Sequence, residues 1–355
     1  VTARDPILDA DLQIPTSYNT AARQVSQAQD EIMADYAELA RLPWGNLHAL
    51  VGLPLPRDLW VIGARPGNGK TTFLINLFDS LVRRGWPTLY IGAGSEGPPK
   101  DLRRQWSALR CGYPVDAVME NRWAELPPKP ITEGGEPLDA QTVVFQDLQR
   151  QALDCHETAH FHEAGEKLTP AALVDAMNYA RRNKCRYVIL DHIHRVRFNA
   201  GQDERRALAD TTRWLRDMAA KYDMACFIAA QLHRAPGDKG PLRDLVPPTM
   251  DDLKGTGTLE EDAVVGLLLH RVRRAGTQAK DFADVLKNLK PVSDVVEPNT
   301  MCVRVGKHRR RGHAKDHAAF LSVGTTLEER GNPHGNGKPD PAPREREPGE
   351  DDLPF

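Results

Sequence analysis

The feature that most limits what this chain can become lies at residues 59–72. Leu-Trp-Val-Ile-Gly at 59–63 is a short apolar run, and Ala64-Arg65-Pro66-Gly67-Asn68-Gly69-Lys70-Thr71-Thr72 follows without a break. Residues 71–84 then have helical character. Strand, glycine-rich turn and helix in that order match the phosphate-loop pattern G-x-x-x-x-G-K-[ST], with Ala64 where the first glycine usually stands. The glycines let successive backbone N–H groups curl into a nest around phosphate oxygens, and the helix start adds partial positive charge at the same spot. Lys70 is placed to reach β- and γ-phosphates, and Thr71 to hold Mg2+. The nucleotide cradle is therefore read as Arg65, Pro66, Gly67, Asn68, Gly69, Lys70, Thr71 and Thr72.

The rest of the pattern agrees with a sheet that carries such a loop. Apolar runs at 59–63, 88–92, 187–191, 225–230, 264–269 and 301–305 alternate with helical stretches at 71–84, 100–110, 170–183 and 204–222. Runs this short, apolar without alternation, suit strands buried on both faces of a largely parallel sheet. The expected fold class is α/β, a P-loop core with a largely parallel central sheet. This core is assigned to residues 42–330, with a surface insertion at 126–137. Ahead of it, residues 1–15 show no periodicity and read as an arm. Residues 16–41 carry Ala21, Val25, Ala28, Ile32, Tyr36 and Leu39 at three- and four-residue steps, one face of a helix. Beyond Arg330 the composition falls to Gly, Pro, Asn and charge, so residues 331–355 read as a disordered tail.

Two acids and an amide complete the candidate chemistry. A P-loop enzyme needs a carboxylate for its metal and usually a second one to activate water. Asp191 ends the run Tyr-Val-Ile-Leu-Asp at 187–191 and supplies the first; Glu96, just beyond the run at 88–92, is the candidate base. Gln231 closes the run at 225–230, where a neutral amide suits a γ-phosphate sensor.

These residues carry a resemblance. ARPGNGKTT, the SEG after the second run, VILDH, AAQLHR, DDLKGTGTLEEDAVVGLLLHR and VGKHRRRG resemble the motif series of DnaB-type replicative helicases. The series is similar also to that of the helicase half of phage primase-helicases and of Twinkle. It runs from about residue 42 to 325, and the pairing of QLHR with DLKGTGTLEEDA is its most specific part. The resemblance implies a RecA-like ATPase core that uses ATP and Mg2+, assembles as a hexameric ring and translocates 5′ to 3′ on single-stranded DNA at forked duplexes. It implies catalytic roles for Lys70, Glu96, Asp191, Gln231 and Arg309, with Thr71 and Asp191 holding Mg2+ through the nucleotide. Lys307 and Arg309 fall on a Lys-x-Arg pair that reaches into a neighbour's nucleotide site. Residues 16–41 resemble the family's linker helix, which docks on the adjacent subunit. The chain departs from the pattern at Gly97-Pro98-Pro99, where a Met-containing turn is usual. Neither an amino-terminal helical domain nor a primase domain is recognised.

Charge and composition narrow the partners. The formal net charge of −2 excludes a basic coat, so nucleic acid must be met by local patches. The resemblance points to two stretches. One follows Asp191 and contains Arg195, Arg197, Arg205 and Arg206; the other follows Gln231 and contains Arg234, Lys239 and Arg243, then Lys254-Gly255-Thr256-Gly257. Arg234, Lys254, Gly255, Thr256 and Gly257 are taken as DNA contacts. Aromatic residues are scarce there, which favours sequence-tolerant contacts to phosphates over base stacking. Five scattered cysteines argue for reduced thiols rather than a disulfide framework. No apolar run reaches the roughly 18 residues of a membrane span, and the opening residues lack the apolar core of a signal peptide. A cytoplasmic chain with no membrane contact is expected. Cys155, His156, His160 and His162 cluster, but their spacing fits no standard zinc site.

The last six residues, Glu350-Asp351-Asp352-Leu353-Pro354-Phe355, resemble the acidic tip of bacterial single-stranded-DNA-binding proteins. Asp351, Asp352, Leu353, Pro354 and Phe355 would dock a loader, a primase or another replication protein. The rival to the helicase reading is an ATP-controlled RecA-like DNA-binding or recombination factor that unwinds nothing; a third is an assembly ATPase using the same core as a switch.

Overall fold

In the computed structural model the chain divides into two units, residues Val1–Arg41 and Leu42–Phe355, and the second carries the sheet and the helices packed on it. The structure describes residues 41–92, 99–122, 126, 140–163, 168–196, 203–232, 248–253, 257–272, 300–312, 318–323 and 326–329. The expected linker helix at 16–41, the expected insertion at 126–137 (Leu126 apart) and the tail at 331–355 lie outside them.

The described strands are β1 (Leu59–Ala64), β2 (Thr88–Gly92), β3 (Ala159–Glu163), β4 (Tyr187–Asp191), β5 (Ala225–Gln231), β6 (Val265–Val272), β7 (Thr300–His308), β8 (Ala318–Val323) and β9 (Leu327–Glu329). They form one sheet in the order β3-β2-β4-β5-β1-β6-β7-β8-β9. The strands from β3 to β6 along that order are all parallel, and β7, β8 and β9 add an antiparallel extension. The six apolar runs read from the sequence are all strands. β3, β8 and β9 are not among those runs.

The helices are α1 (Gly45–Val51), α2 (Lys70–Arg83), α3 (Pro99–Cys111), α4 (Val115–Met119), α5 (Ala140–Asp154), α6 (Pro170–Arg182), α7 (Glu204–Tyr222) and α8 (Gly257–Asp262). β1, β2 and β4 are buried at every position, as central strands covered on both faces must be. Their side chains alternate between two cores. Leu59, Val61, Leu89, Ile91, Val188 and Leu190 pack with Leu173, Ala176 and Met177 of α6 and Leu215 and Ala219 of α7. On the other face Tyr90 meets Phe78 of α2 edge-on, and Phe161 closes against both rings.

The stretch at 42–56, where no helix was assigned from the sequence, contains α1, held by contacts with the far end of the sheet. Trp44 stacks on Phe73 with ring centroids 4.6 Å apart and donates to Leu327 O. Glu329 accepts from the amides of Asn46 and Leu47, capping the helix start.

Candidate nucleotide site and its surroundings

Parallel strands bring their carboxyl ends to one edge of the sheet, and the candidate site is built there. β1 runs into the phosphate loop at Ala64, which stands in register with Gln231 at the end of β5. β4 ends on Asp191, in register with Gly92, the last residue of β2. Glu96 follows four residues later, outside the described residues.

The loop is shaped by glycines where it needs them. Gly67 and Gly69 have φ of 74° and 84°, the left-handed region that penalises a side chain. A Cβ on Gly69 would also come within 2.6 Å of Met301 Cε. Gly69 is the N-cap of α2, and no side chain caps the helix. The Asn68 carboxamide accepts from the backbone N–H of Arg271 at 3.2 Å, tying the loop to β6. Lys70 is buried, with Nζ donating to Ala64 O at 3.4 Å. Arg65 is buried as well; Pro66 and Thr72 complete the loop's flanks.

Thr71 Oγ1 donates to Asp191 Oδ2 at 2.7 Å, joining residues 120 apart in sequence. Tyr90 Oη donates to the same oxygen at 2.9 Å. A hydroxyl and a carboxylate are hard oxygen donors, and Mg2+ is typically held by one or two protein oxygens plus substrate phosphates. The residues present therefore fit that ion. His192, next to Asp191, is buried; loss of hydration, then the nearby charge of Lys70, pushes its imidazole down to about 3. It is neutral at physiological pH and adds no charge beside Lys70. His194 Nδ1 accepts from the Gln231 amide at 3.2 Å, so the short turn after β4 is bonded to the end of β5.

Lys307 and Arg309 are elsewhere. Lys307 is in register with Gly266, and Gly266 with Val61 near the start of β1. The Arg309 amide bonds to Val264 O, and the Val264 amide to Leu59 O. Both cations thus stand at the edge of the sheet opposite this chain's own phosphate loop. Their side chains bond to the last carbonyls of α8: Lys307 to those of Glu260 and Glu261, Arg309 to that of Glu261. Cations at a helix C-terminus meet its negative dipole end. Burial first, then Arg309, lowers the Lys307 pKa.

Among the proposed DNA contacts only Gly257 is described, as the first residue of α8. Arg234, Lys254, Gly255 and Thr256 lie outside the described residues, as do Arg197, Lys239, Arg243 and the tip 351–355. Arg205 and Arg206 are exposed at the start of α7, and Arg195 is half-buried. His160 is bonded to Tyr179 Oη and Glu157 O. Among the described residues no group of three or more His, Cys, Asp or Glu could hold a metal ion.

Comparison with known proteins assigns the lineage. The family model "DnaB-like helicase C terminal domain" matches residues 136–327, more than half of the chain. The chain belongs to this family. The match includes Asp191, Gln231, residues 254–257, Lys307 and Arg309, while the phosphate loop lies ahead of it. Among curated proteins, the replicative DNA helicase DnaB of Haemophilus influenzae is 23% identical over 248 residues, 65% of this chain and 46% of that protein. The same helicase of Mycoplasma genitalium is 24% identical over 251 residues, 69% of this chain and 48% of that protein. The chain thus spans about half the length of the curated relatives it matches. A solved DnaB-like replicative helicase, described in its interactions with primase, superposes with a TM-score of 0.62 at 16% identity over 88% of this chain and 67% of that one. A solved ATPase domain does so with the same TM-score at 15% identity, over 88% of this chain and 100% of that domain. At such identities these neighbours show the fold alone, the α/β fold of DnaB-like ATPase domains.

Sequence reasoning missed three site residues. Tyr90 read only as one apolar residue in a strand, and His192 and His194 as neighbours of an acid; Asn68 was assigned to the cradle, but not its bond to Arg271. The only local signal was the place of the two histidines just beyond a strand end.

Proposed function

We propose that this DnaB-family chain is the motor of a replicative-type DNA helicase, a ring hexamer that hydrolyses ATP to translocate on single-stranded DNA. The observation that carries the reading is the division of its candidate machinery between opposite edges of one sheet. The phosphate loop, Thr71, Asp191 and Gln231 share the carboxyl edge, while Lys307 and Arg309 stand at the other. Such a chain completes a site only when a neighbour's Lys307 and Arg309 face its loop, and a repeated head-to-tail contact forms a ring where the rotation between subunits closes.

Within one site Lys70 and the helix start hold the β- and γ-phosphates, and Thr71 and Asp191 hold the ion that travels with the nucleotide. Bound Mg2+ neutralises charge that develops on the transferring phosphoryl group. Glu96 takes the proton of the attacking water, and Gln231 hydrogen-bonds the γ-phosphate. The neighbour's Arg309 adds positive charge in the transition state. Arg234 and residues 254–257 contact the DNA backbone. The tip 351–355 docks a replication partner, a loader or primase by its acidic and aromatic chemistry.

A forked-duplex assay tests this. The full chain with ATP and Mg2+ is expected to separate the strands, with electron microscopy showing rings on DNA. DNA-stimulated ATP turnover without strand separation would favour the recombination-factor reading, and DNA-independent turnover the assembly ATPase.

A further inference from the structure

We infer that Tyr90 is a positioning residue for the metal carboxylate of this site, setting the Mg2+ requirement through its hydroxyl on Asp191. The inference rests on the ATPase reading above and extends it to a residue outside the phosphate loop and the strand-end acid.

Strand register makes the contact possible. Tyr90 is paired with Ile189 across the β2–β4 ladder, so its side chain shares a face with Ile189 and with Asp191 two residues on. Two residues rise about 6.6 Å along a strand, a diagonal that a tyrosine is long enough to cover. The hydroxyl arrives at Asp191 Oδ2 with a 2.9 Å bond. Thr71 Oγ1 donates to the same oxygen at 2.7 Å.

The ring is held from behind. Tyr90 is 1% exposed and Asp191 8%. Phe78 meets the ring edge-on at 5.6 Å, and Phe161 lies at 6.2 Å. Phe78 sits in α2, the same helix that presents Lys70 and Thr71. One aromatic contact therefore locks the phenol to the helix carrying the nucleotide residues, and the phenol locks the carboxylate to both. Phenylalanine would keep these ring contacts; the hydroxyl adds the bond to Asp191. A bond to an ionised carboxylate is among the stronger kinds. Groups that orient a ligating carboxylate typically change metal affinity or activity by roughly 10–100-fold when lost.

The test uses the full chain as parent, Tyr90→Phe and Lys70→Ala, with a fluorescent, non-hydrolysable ATP analogue. Its binding is measured in EDTA and then across a Mg2+ titration, beside ATP turnover at each Mg2+ concentration. Tyr90→Phe is expected to bind the analogue in EDTA as the parent does. Its half-point in Mg2+ should rise about tenfold or more, with kcat reduced and KM for ATP near the parent value at saturating Mg2+. Thermal melting reports whether the ring packing survives. A Tyr90→Phe protein with the parent's Mg2+ half-point would overturn the proposal. So would one whose EDTA binding falls in step with its melting temperature, since that marks a purely structural role. A parent that binds the analogue no better than Lys70→Ala would overturn the ATPase reading and this inference with it. Binding by the parent with an unmoved Tyr90→Phe half-point overturns the inference alone.

Discussion

Replacing Arg309 by alanine in one set of chains and Lys70 by alanine in another separates a finger that acts within its own chain from one that serves a neighbour. The Arg309 amide bonds to Val264 O, and the Val264 amide to Leu59 O, so Arg309 is level with the first residue of β1. Ala64, where the phosphate loop begins, is five residues further along the strand. At roughly 3.3 Å per residue the separation along the sheet is about 16 Å, beyond the reach of an arginine side chain. A finger in trans is worth roughly 10³–10⁵ in rate, or about 4–7 kcal/mol of transition-state stabilisation. Each variant alone should therefore lose nearly all turnover. In rings mixed in equal amounts, about a quarter of the head-to-tail interfaces join an intact loop to an intact finger. Phosphate release measured across mixing ratios should rise to a maximum near equal parts, where neither protein alone is active. Rings shown by mass spectrometry to contain both chains, yet inactive at every ratio, would refute the reasoning. Full activity of Arg309→Ala alone would do the same.

Glu96→Gln should retain binding of ATP while phosphate release stops; turnover near the parent rate would move the base to another residue. His308 offers a pH test of stability. Its Nε2 bonds to Val51 O and its Nδ1 accepts from the amides of Arg310 and Arg311, while burial holds its pKa below the ordinary 6.5. The unfolded state then takes up the proton first. Its contribution is complete above pH 6.5 and is lost as the pH falls through the folded value, by at most ~1.4 kcal/mol per pH unit. Urea midpoints at pH 7.5 and 5.5 should differ less in His308→Gln than in the parent, and an unchanged difference would count against this. Arg310 forms two bonds, of 2.9 and 2.6 Å, to Asp58, whose side chain is only 6% exposed. Arg310→Ala leaves that carboxylate with the Leu55 amide and Trp60 indole, and should cost ~1–3 kcal/mol by urea unfolding. A loss under half a kcal/mol, roughly the value of an exposed pair, would show the bond contributes little.

The phosphate loop and the sheet that bears it were legible because their determinants are local. Glycines at 67 and 69 permit the positive φ that the loop adopts, and runs apolar at every position are what a strand covered on both faces requires. α2 begins at Lys70, within a residue of its expected start, since the glycine N-cap is followed by apolar residues at helical spacing, Phe73, Leu74, Leu77, Phe78, Leu81 and Val82. The six runs became strands on that ground, and Asp191 and Gln231 fell at strand ends where a parallel sheet collects its chemistry.

Other elements have no local cause. α1 is seven residues long and would not persist alone. It exists because Trp44 packs on Phe73 and Glu329 caps its start from 283 residues away. The bond from Tyr90 to Asp191 depends on β2 lying beside β4 in one register, and a slip of one residue would turn the hydroxyl to the opposite face. Lys307 and Arg309 could be matched to a motif from their order in the chain, but not located. Their place opposite the phosphate loop follows from β7 running antiparallel to β6, so that its carboxyl end lies where β6 begins. Sequence by itself determined which residues can bend, bury or carry charge. Only the tertiary structure decided which of them meet, because pairing direction and register are properties of strands brought together and are written in neither strand alone.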